Sequence, residues 1–171
     1  MKMLLDSSYL LPFIQIQVER LSPRFILDLL NDPTKSDWEF YYCDISLFEL
    51  AAKGMKLLST SLNSNNSKLT LEDIQHGLDV IRWNPHFHQI LWFDHPFILG
   101  LISELRKIHS DFIDCTIFAA AICNTDAIAT FDETFYNKIR KNAILCQKIK
   151  KINENFQFYF YDFSKNPKII L

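Results

Sequence analysis

Short apolar runs recur along this chain at residues 3–6, 39–43, 127–131 and 156–163, separated by longer segments of helical period. Runs of four to eight residues suit strands and are too short for helices. The spacers read as helices. Within 45–58, Leu47, Leu50, Ala51, Met55 and Leu58 fall near one stripe. Thr70 with Asp73 has the form of a capping box opening a helix over 71–83. Further helices are expected to about Lys107, over 111–123 and over 133–150. Ser22-Pro23 reads as another helix start, with Phe25, Ile26, Leu29 and Leu30 on one face and Asn31-Asp32-Pro33 as its stop. Strands alternating with helices predict an α/β fold, a three-layer α/β/α domain around a central, mostly parallel sheet. All 171 residues fit one domain. The stretch 59–107 breaks the rhythm and reads as a helical insertion: a polar loop at 59–67, a helix, an aromatic and histidine-rich passage at 83–97, then another helix.

Two of the runs end on acids. Met-Leu-Leu breaks at Asp6, and Ala-Ile-Ala-Thr-Phe breaks at Asp132. In a parallel sheet, sites gather at the carboxyl ends of strands. Two more acids lie in apolar company: Glu49, between Phe48 and Leu50, and Asp114, opening the apolar segment Cys-Thr-Ile-Phe-Ala-Ala-Ala-Ile. Carboxylates beside apolar runs are costly to bury without compensation. A hard divalent cation such as Mg²⁺ or Mn²⁺, taking oxygen ligands, is the usual compensation. Clustered carboxylates of this kind seat the ions used in phosphodiester hydrolysis.

The same blocks carry a resemblance. Leu-Leu-Asp-Ser-Ser-Tyr-Leu-Leu-Pro resembles the opening strand of a PIN-domain nuclease, and Ser-Leu-Phe-Glu-Leu-Ala-Ala-Lys-Gly resembles that family's glutamate-bearing helix. His-Ser-Asp-Phe-Ile-Asp-Cys-Thr-Ile-Phe-Ala-Ala-Ala followed by Ala-Thr-Phe-Asp-Glu-Thr-Phe is similar to its closing helix and strand. The likeness is nearest to archaeal PIN proteins and toxin-type ribonucleases. It implies a PIN-like fold and a metal-dependent ribonuclease. Asp6, Glu49, Asp114 and Asp132 would be both the catalytic residues and the ligands of Mg²⁺ or Mn²⁺, with RNA as substrate. It further implies a homodimer and, for toxin-type members, an antitoxin protein as partner. The competing expectation is a catalytically silent PIN-fold module that binds RNA or a protein. Loss of an acid would mark such a module, and all four are present.

Each acid also has a plainer use: Asp6 as a turn former, Asp114 at a helix start, Glu49 as a solvated helix residue, Asp132 as a cap. Asp111 is either a fifth ligand or the N-cap of the helix that holds Asp114. Thr130 and Ser7 are placed to support the carboxylates, whereas Asp126 falls at the other end of its strand. A receiver domain shares the alternation but wants paired acids after the first strand, where this chain has only Asp6.

Net charge is −2, so no global basic field attracts nucleic acid. A local one lies in 138–151, where Lys138, Arg140 and Lys141 are candidate RNA contacts or else part of a solvated basic helix. Trp83, Phe87, Trp92, Phe93 and Phe97 exceed what a small excursion is expected to bury, which points to an interface. His86, His88, His95 and His109 invite a zinc reading, but the three nitrogens of His86, His88 and His95 lack a fourth ligand or a recognised zinc pattern, and the four cysteines show no Cys-x-x-Cys pair. No apolar run approaches the ~20 residues that span a bilayer. A cytoplasmic protein with no membrane partner is expected.

Overall fold

The computed structural model describes residues 1–19, 21–22, 24–25, 28, 31, 37–61, 69–160 and 169–170. In chain order the elements are β1 (Lys2–Leu5), α1 (Ser7–Leu10), a 3₁₀ turn (Leu11–Ile14), β2 (Glu39–Cys43), α2 (Asp44–Ser61) and α3 (Leu71–Trp83). They continue with β3 (Phe87–Ile90), α4 (Ile98–Leu105), α5 (Phe112–Asn124), β4 (Ala127–Thr130), α6 (Glu133–Lys141), α7 (Ala143–Ile152), β5 (Gln157–Phe160) and β6 (Ile169–Ile170). One sheet of order β3-β2-β1-β4-β5-β6 runs through the molecule, parallel except for the β5–β6 pair.

Successive strand residues feed opposite layers, as a period of two requires. Met3, Leu5, Phe40, Tyr42, Ala127, Ala129 and Tyr159 pack on one face with Tyr9, Leu10, Ile14, Leu50 and Ile81. Leu4, Cys43, Ile128, Phe158 and Phe160 pack on the other with residues of α4, α5, α6 and α7. This is the expected three-layer α/β/α arrangement. Helix α5 is buried along its whole middle, from Cys115 to Ile122, because it has no polar face to offer water. At Gly77 of α3 the 3₁₀ turn comes so near that an added Cβ would stand 2.2 Å from the Phe13 carbonyl oxygen. Only glycine fits that crossing.

Three expected boundaries are corrected. Helix α2 runs on to Ser61, into the expected 59–67 loop; the Ser59 and Thr60 hydroxyls find partners on the Lys56 and Leu57 carbonyls, so these polar residues are accommodated within the last turns. Residues 62–67 of that loop lie outside the described residues. The expected helix 133–150 is two helices, divided at Asn142, whose side chain accepts the Leu145 N–H and caps α7. The 59–107 insertion is not wholly helical: Phe87–Ile90 forms β3, the edge strand beside β2. The capping box of Thr70 and Asp73 is present. In the expected 22–30 helix, Pro23, Ile26, Leu29 and Leu30 lie outside the described residues, as do 161–163 of the last expected strand. Among the described residues no helix is long and apolar enough to cross a membrane.

The strand order fixes where a site forms. From β1 the chain moves outward to β2 and β3, then returns to lay β4 on the other flank of β1. The gap between the carboxyl ends of β1 and β4 is the switch point at which open parallel sheets hold their ligands.

Candidate metal centre

Asp6 follows β1 directly and stands at that gap. Its backbone N–H continues the ladder to the Ala129 carbonyl at 3.0 Å. Its Oδ1 accepts the Ser7 N–H at 2.7 Å, and its Oδ2 accepts the Thr130 hydroxyl at 3.0 Å. Thr130, fully buried at the end of β4, also receives the Asp132 N–H on the same oxygen at 3.1 Å. One hydroxyl thus locks the two strand-end acids to each other. Thr130, expected beside the carboxylates, thus touches Asp6 and the Asp132 backbone.

Asp6 is only 9% exposed, and its carboxyl is pushed up to about 7. Burial is the main cause, followed by the negative charges of Asp114 and Glu49. The donors Thr130 and Ser7 act the other way and are outweighed.

Asp114 lies in the first turn of α5. Its Oδ2 is 2.8 Å from His109 Nε2. Burial raises its pKa, the His109 hydrogen bond opposes this, and the charges of Asp111 and Glu49 add to the rise. Asp111 is the N-cap of α5, its Oδ1 accepting the Ile113 and Asp114 N–H groups at 2.8 and 3.2 Å. It holds Asp114 in place from behind. Asp132 caps α6 by accepting the Phe135 N–H at 2.7 Å, so its plainer use is realised as well. It still offers a carboxylate oxygen to the cluster: one ligand-type atom each of His109, Asp114 and Asp132 lies within 4.8 Å of the other two.

Glu49 enters from α2 and pairs through Oε1 with Lys53 one turn on. Its Oε2 is buried and has no hydrogen-bond partner among the described residues. The same is true of the Ser7 hydroxyl, on a residue 1% exposed. Buried polar atoms nearly always find partners, and each one left over calls for an explanation such as an ion or a water. A third such atom is Ser46 Oγ on α2; of the three, Glu49 Oε2 belongs to a side chain whose charge acts on Asp6 and Asp114, and it fits the divalent ion that the donor set suggests.

The four expected acids are therefore linked, though not evenly. Asp114 and Asp132 share the tight group with His109, while Asp6 and Glu49 join through their charges on Asp114 and on each other. The unforeseen member is His109. Its signal is its position five residues ahead of Asp114, just before the α5 cap. Two other histidines are elsewhere: His88 packs on the Tyr41 ring, and His95 Nδ1 accepts the Phe97 N–H. Lys138, Arg140 and Lys141 occupy the exposed last turn of α6, the end away from Asp132, where their charge also complements the helix dipole. Neither the family models nor the curated proteins compared with this chain give a match.

Proposed function

We propose that this chain is a divalent-metal-dependent ribonuclease of PIN-like type, with Asp6, Glu49, Asp114 and Asp132 holding Mg²⁺ or Mn²⁺. The observation that carries this reading is the charge imbalance at the switch point. Acids from three elements (Asp6 after β1, Glu49 on α2, Asp114 on α5) influence one another there, one is pushed up to about 7, and a glutamate oxygen lies buried with no partner among the described residues. The described ion pairs bring only Lys53 and His109 to these acids. When bound, a divalent ion offsets the phosphate charge and activates a water. The protein's part is to hold the acids still. Thr130 ties Asp6 to the Asp132 backbone, Asp111 secures the α5 turn that presents Asp114, and α6 begins at Asp132 itself.

RNA as the substrate rests on the sequence resemblance of the four blocks. Lys138, Arg140 and Lys141, all exposed, are the proposed contacts for phosphates farther along the strand. A homodimer belongs to the same proposal. Of the aromatic residues in the 59–107 stretch, Phe87 is buried in the core, but Trp83, Phe93 and Phe97 are 73%, 58% and 63% exposed. Rings left in water to that extent favour an interface. Light scattering should give about twice the 20.2 kDa chain mass; a mass of one chain at all concentrations removes the dimer and leaves the metal centre standing.

The decisive experiment is cleavage of end-labelled single-stranded RNA with Mg²⁺, with Mn²⁺ and with EDTA, using the wild type and Asp114→Asn. Cleavage should need the ion and vanish in the variant. Equal cleavage by both proteins rejects the site. RNA binding without cleavage under either ion would instead favour the silent module.

A further inference from the structure

We propose that His109 is itself a metal ligand, joining Asp114 and Asp132 in a mixed nitrogen–oxygen seat that favours a divalent first-row transition ion such as Mn²⁺ over Mg²⁺. This rests on the metal-centre reading above and deepens it. The expectation from sequence was an all-carboxylate site, with Mg²⁺ and Mn²⁺ equally acceptable.

Three features carry the inference. The first is distance. Ligands about 2.1 Å from an octahedral ion are separated by roughly 3.0 Å when adjacent and ~4.2 Å when opposite. His109 Nε2 and Asp114 Oδ2, 2.8 Å apart, match an adjacent pair. The whole group, within 4.8 Å, needs only a slight contraction to close on one ion.

The second feature is that the ring is held by more than its bond to Asp114. It stacks on Phe135, with centroids 4.1 Å apart and planes at 15°, and Phe135 is fully buried. The Phe135 N–H is the one that binds Asp132. The backbone of His109 is fixed too, its N–H on the Leu105 carbonyl and its carbonyl accepting the Cys115 thiol. Ring, aromatic support and the third ligand are therefore tied to one another, which holds the imidazole where it faces Asp114 and Asp132.

The third feature is Glu49 Oε2, buried with no partner among the described residues on a side chain whose charge acts on Asp6 and Asp114, which marks the acid network as a place built to meet something beyond its own side chains. A simple His109–Asp114 ion pair would not account for that oxygen. Imidazole suits transition ions, whereas Mg²⁺ takes oxygen ligands and keeps its waters. One nitrogen in the set shifts the preference accordingly.

Electron spin-echo modulation of the Mn²⁺-loaded protein reads the ligand atom directly. The wild type should show coupling to one imidazole nitrogen. His109→Phe, which keeps the stack on Phe135 but has no nitrogen, should lose that coupling and bind Mn²⁺ roughly 10- to 100-fold more weakly, with Mg²⁺ affinity changed less than about threefold. His109→Ala repeats the test without the ring. Mn²⁺ bound with no nitrogen coupling, or coupling that survives in His109→Phe, overturns the inference and leaves the carboxylate site intact. No Mn²⁺ bound by the folded wild type removes both the inference and the metal reading beneath it.

Discussion

The two ends of the same sheet treat their acids in opposite ways. At the amino end, Asp126 Oδ2 accepts the Lys2 N–H at 2.8 Å, while its backbone N–H goes to the Lys2 carbonyl and its own carbonyl accepts the Gln157 N–H. Glu39, on the opposite flank of β1 at the start of β2, accepts the Tyr41 hydroxyl at 2.7 Å, and that bond, with Lys2 and His88 nearby, holds its carboxyl below the ordinary range. At the carboxyl end, Asp6 and Asp114 are pushed upward, although both receive hydrogen bonds. The difference lies less in the number of donors than in burial and like charge. An acid at the amino end closes a strand junction. Those at the carboxyl end leave a charge for something else to neutralise.

The sharpest way to break this contrast is to neutralise one acid at each end. Asp6→Asn and Asp114→Asn should lower metal-dependent RNA cleavage by roughly a thousandfold, since ion-borne charge stabilisation amounts to several kcal/mol. Asp126→Asn should leave cleavage unchanged. Full activity in Asp6→Asn, or loss in Asp126→Asn, would reverse the assignment of the two ends.

The next effect is on stability. Between about pH 4 and 7 the folded, metal-free chain keeps a proton on Asp6 that the unfolded chain has already released. Its contribution to stability is fully present below pH ~4 and is lost as pH rises through about 7. The separation between 3.8 and about 7 sets a ceiling of about 4 kcal/mol, with Asp114 acting in the same direction. Urea unfolding in EDTA should therefore show falling stability across that window, a slope reduced in Asp6→Asn and flattened by saturating Mn²⁺. A profile identical in wild type and Asp6→Asn would mean that the buried carboxyl is not under this strain.

Which parts of this were legible in the sequence follows from where the signals were strong. β1, β2 and β4 announced themselves because each is buried on both faces and reads as an apolar run. Strand β3 did not: Phe87-His88-Gln89-Ile90 buries only its two ends, so neither alternation nor an apolar run marks it, and the stretch looked like part of an insertion. The break at Asn142 was hidden because the basic, amphipathic pattern continues across it and only the cap geometry shows the division. The four acids stood out through their placement beside apolar residues. His109 did not, because its meaning depends on Phe135 and Asp132, which the fold brings to it from more than twenty residues away in sequence.

A smaller effect tests the amino end alone. Asp126→Ala removes the acceptor for the Lys2 N–H and should cost about 1 kcal/mol of stability, with no change in metal affinity. Calorimetry with Mn²⁺ beside urea unfolding separates the two. A metal affinity that falls with the stability would show the two ends to be coupled through β4.

The smallest expected effect concerns the lysine at the carboxyl end. Lys53 pairs with Glu49 across one helical turn, but its side chain is 43% exposed, so water screens much of the attraction. Pairs of this kind contribute at most about 0.5 kcal/mol. Lys53 holds Oε1 and leaves Oε2 without a partner among the described residues, so it offsets the charge of Glu49 without completing its bonding. Lys53→Met keeps the aliphatic stem and removes the charge. It should lower metal-free stability by no more than ~0.5 kcal/mol and change Mn²⁺ affinity by less than about threefold, because Glu49 remains anchored by α2. A much weaker Mn²⁺ site in this variant would make Lys53 a positioning residue for Glu49. The carboxyl end would then resemble the amino end, with protein groups rather than an ion setting the geometry of its acids.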